Sequence, residues 1–397
     1  MGVEDIGALR PADETLDHQI VDTFATVSQS DLAWTEKIWG SLARIDGSLQ
    51  VEFGLGTYRN RGVADAFAGI SRSREQWTVR ASRELDAAPE DLAVGPVRYE
   101  IVEALNQVRF ILEPNDVLPV SFDVTLAGVT PPFFEDRNLV RNRRTGRIEV
   151  NLVRYHQGGW AAGTVTVEGE THKVTPDDWF GYRDHSWGIR PAVGAAPSDL
   201  PPVSVERYAG GDSAEPRSRI IWLPMFLRRP DGSYYETAIY TIEHSSHEYS
   251  SAYITDATGS RRRVRSVVPE LTYDPVTRYP TGGELQVLME SGEERRMVIE
   301  VLGQSGFALK AGGYGWFKGH RHGSWMGPSH LDGEYIADVG DPENLRILGQ
   351  LRDIPVRASD GDAVGYGILE SVLRGEWPEL GLTSESDHPV SYSSQID

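Results

Sequence analysis

The chain of 397 residues contains no cysteine, which excludes disulfides, thiolate nucleophiles and cysteine-ligated zinc or iron–sulfur centres. No apolar run approaches the roughly 18 residues that a membrane-spanning helix requires, so stable membrane insertion is not expected. The start, Met1-Gly2-Val3-Glu4-Asp5-Ile6, lacks the basic and apolar regions of a secretory signal, and Ile6 stands where a myristoylation signal needs serine or threonine. A cytoplasmic location is expected. Positive charge is scarce: 39 Lys plus Arg stand against 59 Asp plus Glu, for a net charge of −20. That balance repels phosphate backbones and anionic headgroups, so nucleic acid is not expected as a partner. The basic run Arg261, Arg262, Arg263, Arg265 follows Thr258-Gly259-Ser260 and reads as the solvated start of a strand. The sequence carries no signature of oligomeric state.

Nucleotide-binding loops are missing too. Gly54-Leu55-Gly56 is followed by Arg59 where a third glycine is needed, and Gly313-Tyr314-Gly315 by Lys318. Neither sits between a strand and a helix, and no Gly-Lys-Ser/Thr occurs. No bound cofactor is therefore expected. Helical periodicity is confined to residues 13–30, where Leu16, Ile20, Val21, Phe24 and Val27 share one face behind a possible cap at Asp13.

From about residue 45 the pattern is alternation instead. Phe122, Val124 and Leu126 oppose Ser121, Asp123 and Thr125, and turn chemistry such as Pro230-Asp231-Gly232 and Ser359-Asp360-Gly361-Asp362 punctuates the strands. The pattern predicts an all-β protein of tandem antiparallel barrels or sandwiches preceded by a short helix. One offset of 164 residues separates Gly163 from Gly327 and Gly169 from Gly333, with Trp160 and Trp325, and His156 and His322, in similar places. Read as an internal repeat, this gives a helical arm at 1–34, a β unit at 35–190, a Pro/Ala/Gly-rich linker at 191–202, a second β unit at 203–380 and a polar tail at 381–397.

The densest chemistry lies at the expected junction, Gly181-Tyr182-Arg183-Asp184-His185-Ser186-Trp187-Gly188-Ile189-Arg190. Such groups are costly to bury unless they satisfy one another or act on a ligand. In Gly319-His320-Arg321-His322-Gly323 the two histidines share a strand face, but no carboxylate follows at metal-site spacing. No metal is expected there, although His330 or Glu334 could complete a triad by folding back.

Gln76-Trp77-Thr78-Val79-Arg80-Ala81-Ser82-Arg83, Pro131-Pro132-Phe133-Phe134-Glu135 and above all the 181–190 segment resemble the two-domain lipocalin-like (calycin) proteins grouped with carotenoid 1,2-hydratases (hydroxyneurosporene synthase), tocopherol cyclases and fungal Diels–Alderases. The resemblance spans roughly residues 35–375 and implies tandem lipocalin-like domains. The hydratase motif is similar to Asp-His-Glu-Trp, which falls on Asp184, His185 and Trp187 with Ser186 in place of the glutamate, so carotenoid hydration itself is not implied.

Together these features predict a cofactor-independent enzyme for a hydrophobic polyene, terpenoid or polyketide-like substrate. The reaction would be acid–base hydration or dehydration, isomerisation or cyclisation near the junction. Asp184 would transfer the proton, His185 orient or relay it, and Arg183 or Arg190 steady a carbonyl oxygen as it gains charge. Tyr182, Trp187, Trp325 and His322 would line the substrate pocket. The alternatives are a non-catalytic carrier of an apolar small molecule and a metal-dependent β-barrel enzyme resting on His320 and His322.

Overall fold

The structure, a computed structural model, describes residues 31–388 apart from 86–91, 143–144, 196–216, 245–246 and 305, with isolated positions between 12 and 30. Most of the predicted helix at 13–30 and most of the expected linker lie outside the described residues. The first half supplies strands β1 Trp34–Arg44, β2 Leu49–Tyr58, β3 Val63–Arg72, β4 Glu75–Glu84, β5 Ala93–Val94, β6 Val97–Glu103, β7 Gln107–Leu112, β8 Val120–Gly128, β9 Phe133–Phe134, β10 Asn138–Arg141, β11 Ile148–Val167, β12 Glu170–Val174 and β13 Trp179–Ile189. The second half supplies β14 Arg217–Arg228, β15 Tyr234–His244, β16 His247–Asp256, β17 Arg261–Tyr273, β18 Pro280–Met289, β19 Glu294–Val301, β20 Phe307–Ala308, β21 Ser329–Ile336, β22 Arg352–Asp360 and β23 Ala363–Gly375. Among the described residues there is one short α-helix, α1 Pro342–Leu348, capped by the Asp341 side chain accepting from the Glu343 N–H.

The protein is all-β, and the described residues form two antiparallel sheets of 14 and 9 strands. Each surrounds its own core, the first including Phe53, Trp77, Phe110 and Val124, the second Leu223, Met225, Leu285 and Ile299. The alternation read in β8 is obeyed, with Phe122, Val124 and Leu126 buried and the residues between them half-exposed.

A third cluster joins the sheets. On β1, Ile38 and Leu42 enter the first core while Trp39 and Ala43 turn the other way, to meet Phe180, Tyr182, Trp222, Phe226 and Ile368. Trp39 meets Trp222 edge-on at 5.0 Å between ring centroids, and Phe180 stacks on Tyr366 at 4.9 Å. β1 and β13 are thus largely buried on both faces, so most of the polar residues they carry are enclosed between the layers.

Three features depart from the sequence reading. Glu168-Gly169-Glu170 forms the hairpin between β11 and β12, with Gly169 at φ 83°. Asp332-Gly333-Glu334 instead lies in mid-strand, where a Cβ on Gly333 would stand 2.6 Å from the Val117 side chain. Gly169 and Gly333, one of the two glycine pairs that share the 164-residue offset, thus answer different structural needs. β21, placed by sequence in the second β unit, is hydrogen-bonded to β4 of the first sheet from Ser329↔Arg83 to Ile336↔Gln76. The first residues of the expected tail are docked, Leu382 against Leu373 and Trp377, and Asp387 accepting from Arg374 Nε at 2.8 Å and the Gly375 N–H at 2.9 Å.

Candidate functional site

β1, β13 and β11 lie side by side in the first sheet, and β15, β14 and β23 in the second. A cavity of about 220 Å³ lies between these two trios. Lys37, Trp39, Leu152, Arg154, Asp184 and Ser186 line it from the first sheet. Ile220, Trp222, Tyr240, Ile242, Glu370 and Val372 line it from the second, while Arg190, Tyr314 and His322 come from connecting segments.

The period of a strand divides the 181–190 motif. Asp184 and Ser186 face the cavity, and Arg190 lies just past the end of the strand. Tyr182 shares their face but sits in the sheet–sheet packing, where its hydroxyl donates to Glu236 Oε2 at 2.5 Å. Arg183, His185 and Trp187 point to the opposite side. Arg183, 2% exposed, donates from Nε and Nη2 to Gln157 Oε1 at 2.9 and 2.6 Å and lies 3.4 Å from the Tyr99 hydroxyl. His185 has Nδ1 3.2 Å from the Tyr155 hydroxyl and Nε2 2.9 Å from Glu36, and Trp187 packs edge-on against Tyr155 and Phe134. Trp325 is 54% exposed in an irregular segment and does not line the cavity. Of the residues singled out from sequence, the structure gathers Asp184, Arg190 and His322 at one cavity and leaves Tyr182, Arg183, His185, Trp187 and Trp325 outside it.

Asp184 belongs to a chain of ion pairs. Its Oδ2 is 3.4 Å from Arg154 Nε, Arg154 Nη1 is 3.6 Å from Glu135, and Glu135 Oε2 is 3.1 Å from His156 Nε2. Burial works against ionising Glu135, but Arg154 and His156 outweigh it and hold the carboxyl below the usual range. Burial likewise opposes the charge on Arg154, which Glu135 and then Asp184 more than restore. The guanidinium lies 5.7 Å from the ring centroids of both Trp222 and Tyr240.

A second set of carboxyls is in the opposite condition. Glu52, Asp353 and Glu370 lie near enough for each carboxyl to act on the next. Trp39 Nε1 donates to Asp353 Oδ2 at 2.9 Å, and Gln50 Nε2 to Glu52 Oε2 at 3.2 Å. Burial pushes Glu52 up to about 8. Burial first, and then the neighbouring carboxyl, raises both Asp353 and Glu370 well above the carboxylate range. Glu370 is the member of the series that opens onto the cavity.

Lys37 is the other group that sequence reasoning missed. It is 1% exposed, with Nζ 4.0 Å over the centre of the Tyr314 ring, and burial, then Arg190, lowers its amine well below the usual range. Burial followed by Lys37 also brings His322 down to about 4, so its ring is neutral; its Nδ1 is 3.5 Å from Asp65. Away from the cavity, ligand atoms of His320, His330 and Asp332 lie within 4.8 Å of one another. His330 does fold back toward His320, but Arg80 donates to both Asp332 oxygens at 2.9 and 3.0 Å, and His322 faces elsewhere.

A family model described as a family of unknown function (DUF8625) matches residues 9–383. No curated protein matches the chain in sequence. Similar solved structures include a protein described as AttH from Nitrosomonas europaea, at 14% identity over 85% of this chain and 92% of that one, with a TM-score of 0.48. Kievitone hydratase from Nectria haematococca aligns at 13% identity over 90% and 94% of the two chains, with a TM-score of 0.40. CghA with Sch210972 aligns at 12% identity over 86% and 88%, with a TM-score of 0.41. At these identities and scores none of the three informs the chemistry of the cavity.

Proposed function

The chain belongs to the family of unknown function DUF8625, whose model spans residues 9–383, and from the cavity between its sheets we propose that it is an enzyme that transforms an apolar small molecule by acid–base catalysis. The observation that carries this reading is Glu370, a carboxyl that burial keeps protonated on a wall otherwise rich in Ile220, Trp222, Tyr240, Ile242 and Val372. A neutral acid in an apolar site is a proton donor at ordinary pH. Asp184, in its ion pair with Arg154, lines the same cavity and is the base. The roles are thus divided by environment: the carboxyl without a cation partner donates, and the one beside a guanidinium accepts.

Protonation of a double bond or carbonyl by Glu370 places positive character on the substrate, and the faces of Trp39, Trp222 and Tyr240 favour it there. Loss of a proton to Asp184 completes an isomerisation or cyclisation. Capture of water before that loss gives hydration. Proton transfer contributes roughly 10²–10⁴-fold to such rates, so the larger share of any acceleration comes from holding the substrate in reactive geometry. Asp353 and Glu52 stand behind Glu370 as buried carboxyls that can supply the next proton.

The test is incubation of the purified protein in deuterated water with a small-molecule extract of the source cells, followed by mass spectrometry. The expected result is a compound that gains deuterium or the mass of water with the native protein and not with Glu370→Gln. An extract returned unchanged, with an apolar compound nevertheless retained by the protein, overturns catalysis in favour of a carrier.

A further inference from the structure

Two basic side chains on the cavity wall have no carboxylate partner among the described residues. The Nζ of Lys37 is within hydrogen-bond reach of no acceptor. Arg190 donates from Nη2 to Ser186 Oγ at 3.0 Å, while its Nε has no partner. Strand register brings the two together: Ser186 is directly opposite Lys37 across the β1–β13 pair, so the guanidinium that bonds its hydroxyl lies beside the amine. The nearby carboxylates are committed elsewhere. Asp184 and Glu135 pair with Arg154, while Asp65 accepts from the Tyr58 hydroxyl at 3.0 Å and the Gly323 N–H at 2.6 Å and faces His322. The indole N–H of Trp222, 3% exposed, also lacks an acceptor on this cavity.

Leaving a buried donor unmatched costs about 1–3 kcal/mol, more for a charged one, and two like charges side by side raise the cost. A carboxylate answers both demands, and its paired oxygens suit a guanidinium. We propose that the substrate carries a carboxylate held by Lys37 and Arg190, with its apolar body along Trp39, Trp222 and Tyr240 on the wall that Glu370 shares. This rests on reading the cavity as the active site and names the substrate class for it. The lowered Lys37 amine fits a site whose counter-charge arrives with the ligand.

The test titrates the full chain with 2-naphthoate and with methyl 2-naphthoate, which share a ring system and differ in the charge. Naphthoate is expected to bind at least about tenfold more tightly, roughly 1.4 kcal/mol. Lys37→Met and Arg190→Gln should each bring naphthoate toward the affinity of the ester while leaving the ester's own affinity in place. Equal affinity of acid and ester for the native protein overturns the proposal, because water then serves these donors, and failure of both ligands to bind overturns it together with the catalytic reading. Glu370→Gln separates the two ideas. It should keep the preference for the acid while losing turnover; turnover that survives in it removes the catalytic assignment and leaves the acid preference standing, and loss of the preference in it overturns the carboxylate site.

Discussion

Glu370 and Asp184 are chemically similar side chains in one cavity, yet one is surrounded by apolar groups and other carboxyls and the other by a guanidinium. Substitution should separate them. Glu370→Gln replaces a neutral acid with a neutral amide of the same shape, so the melting temperature should hold or rise while turnover falls at least about 100-fold. Asp184→Asn removes one of the two carboxylates that hold buried Arg154, so the melting temperature should fall by several degrees, on the order of 1–3 kcal/mol. Melting and turnover measured on one preparation of each variant check both. A Glu370→Gln protein with full activity ends the acid assignment. Glu370 did carry a signal in the sequence: it is the sole charged residue from Gly365 to Leu373. What that signal lacked was a partner, since Asp353 precedes it by 17 positions and Glu52 by 318, and only the packed sheets bring the three together.

β13 illustrates how far a motif can be read without its neighbours. The density of chemistry in Gly181–Arg190 is plain in the sequence, as is the strand that holds it. The faces are not. Which set of alternate residues meets a ligand depends on what covers each side, and here Tyr99, Tyr155 and Gln157 cover one side while strands of the second sheet cover the other. The division predicts different outcomes for adjacent residues. Arg183→Leu leaves Gln157 Oε1 without its donor inside the first core and should cost about 1–3 kcal/mol, with the affinity of the cavity for naphthoate unchanged. Denaturant unfolding and ligand titration of that variant check the pair of expectations, and a lost ligand affinity in a stably folded Arg183→Leu protein contradicts the assignment of faces.

Between the two sheets lie more buried carboxyls than a stability argument alone requires. Glu236 is fully buried and accepts from Tyr182, the Gly158 N–H and Thr130, yet burial still pushes it up to about 8, as it does Glu52. Both groups hold protons in the folded chain over a range where an unfolded glutamate, near 4.5, has released them. Their contribution is therefore full below that lower value and drains away as pH rises through about 8, on the order of a few kcal/mol for each. The melting temperature should fall between about pH 4.5 and pH 8, and Glu236→Gln should flatten the fall. A flat profile in the native protein rules out protonated carboxyls at this interface.

The pairing of β21 with β4 has a consequence for any attempt to divide the molecule. A polypeptide ending near residue 195 retains β1 to β13 but loses β21, and the backbone N–H and C=O groups of Gln76–Arg83 that it satisfied become an open strand edge. Open edges recruit other chains. The isolated first half should therefore self-associate through β4, and a synthetic 325–340 peptide should dissolve those assemblies by taking the vacant place.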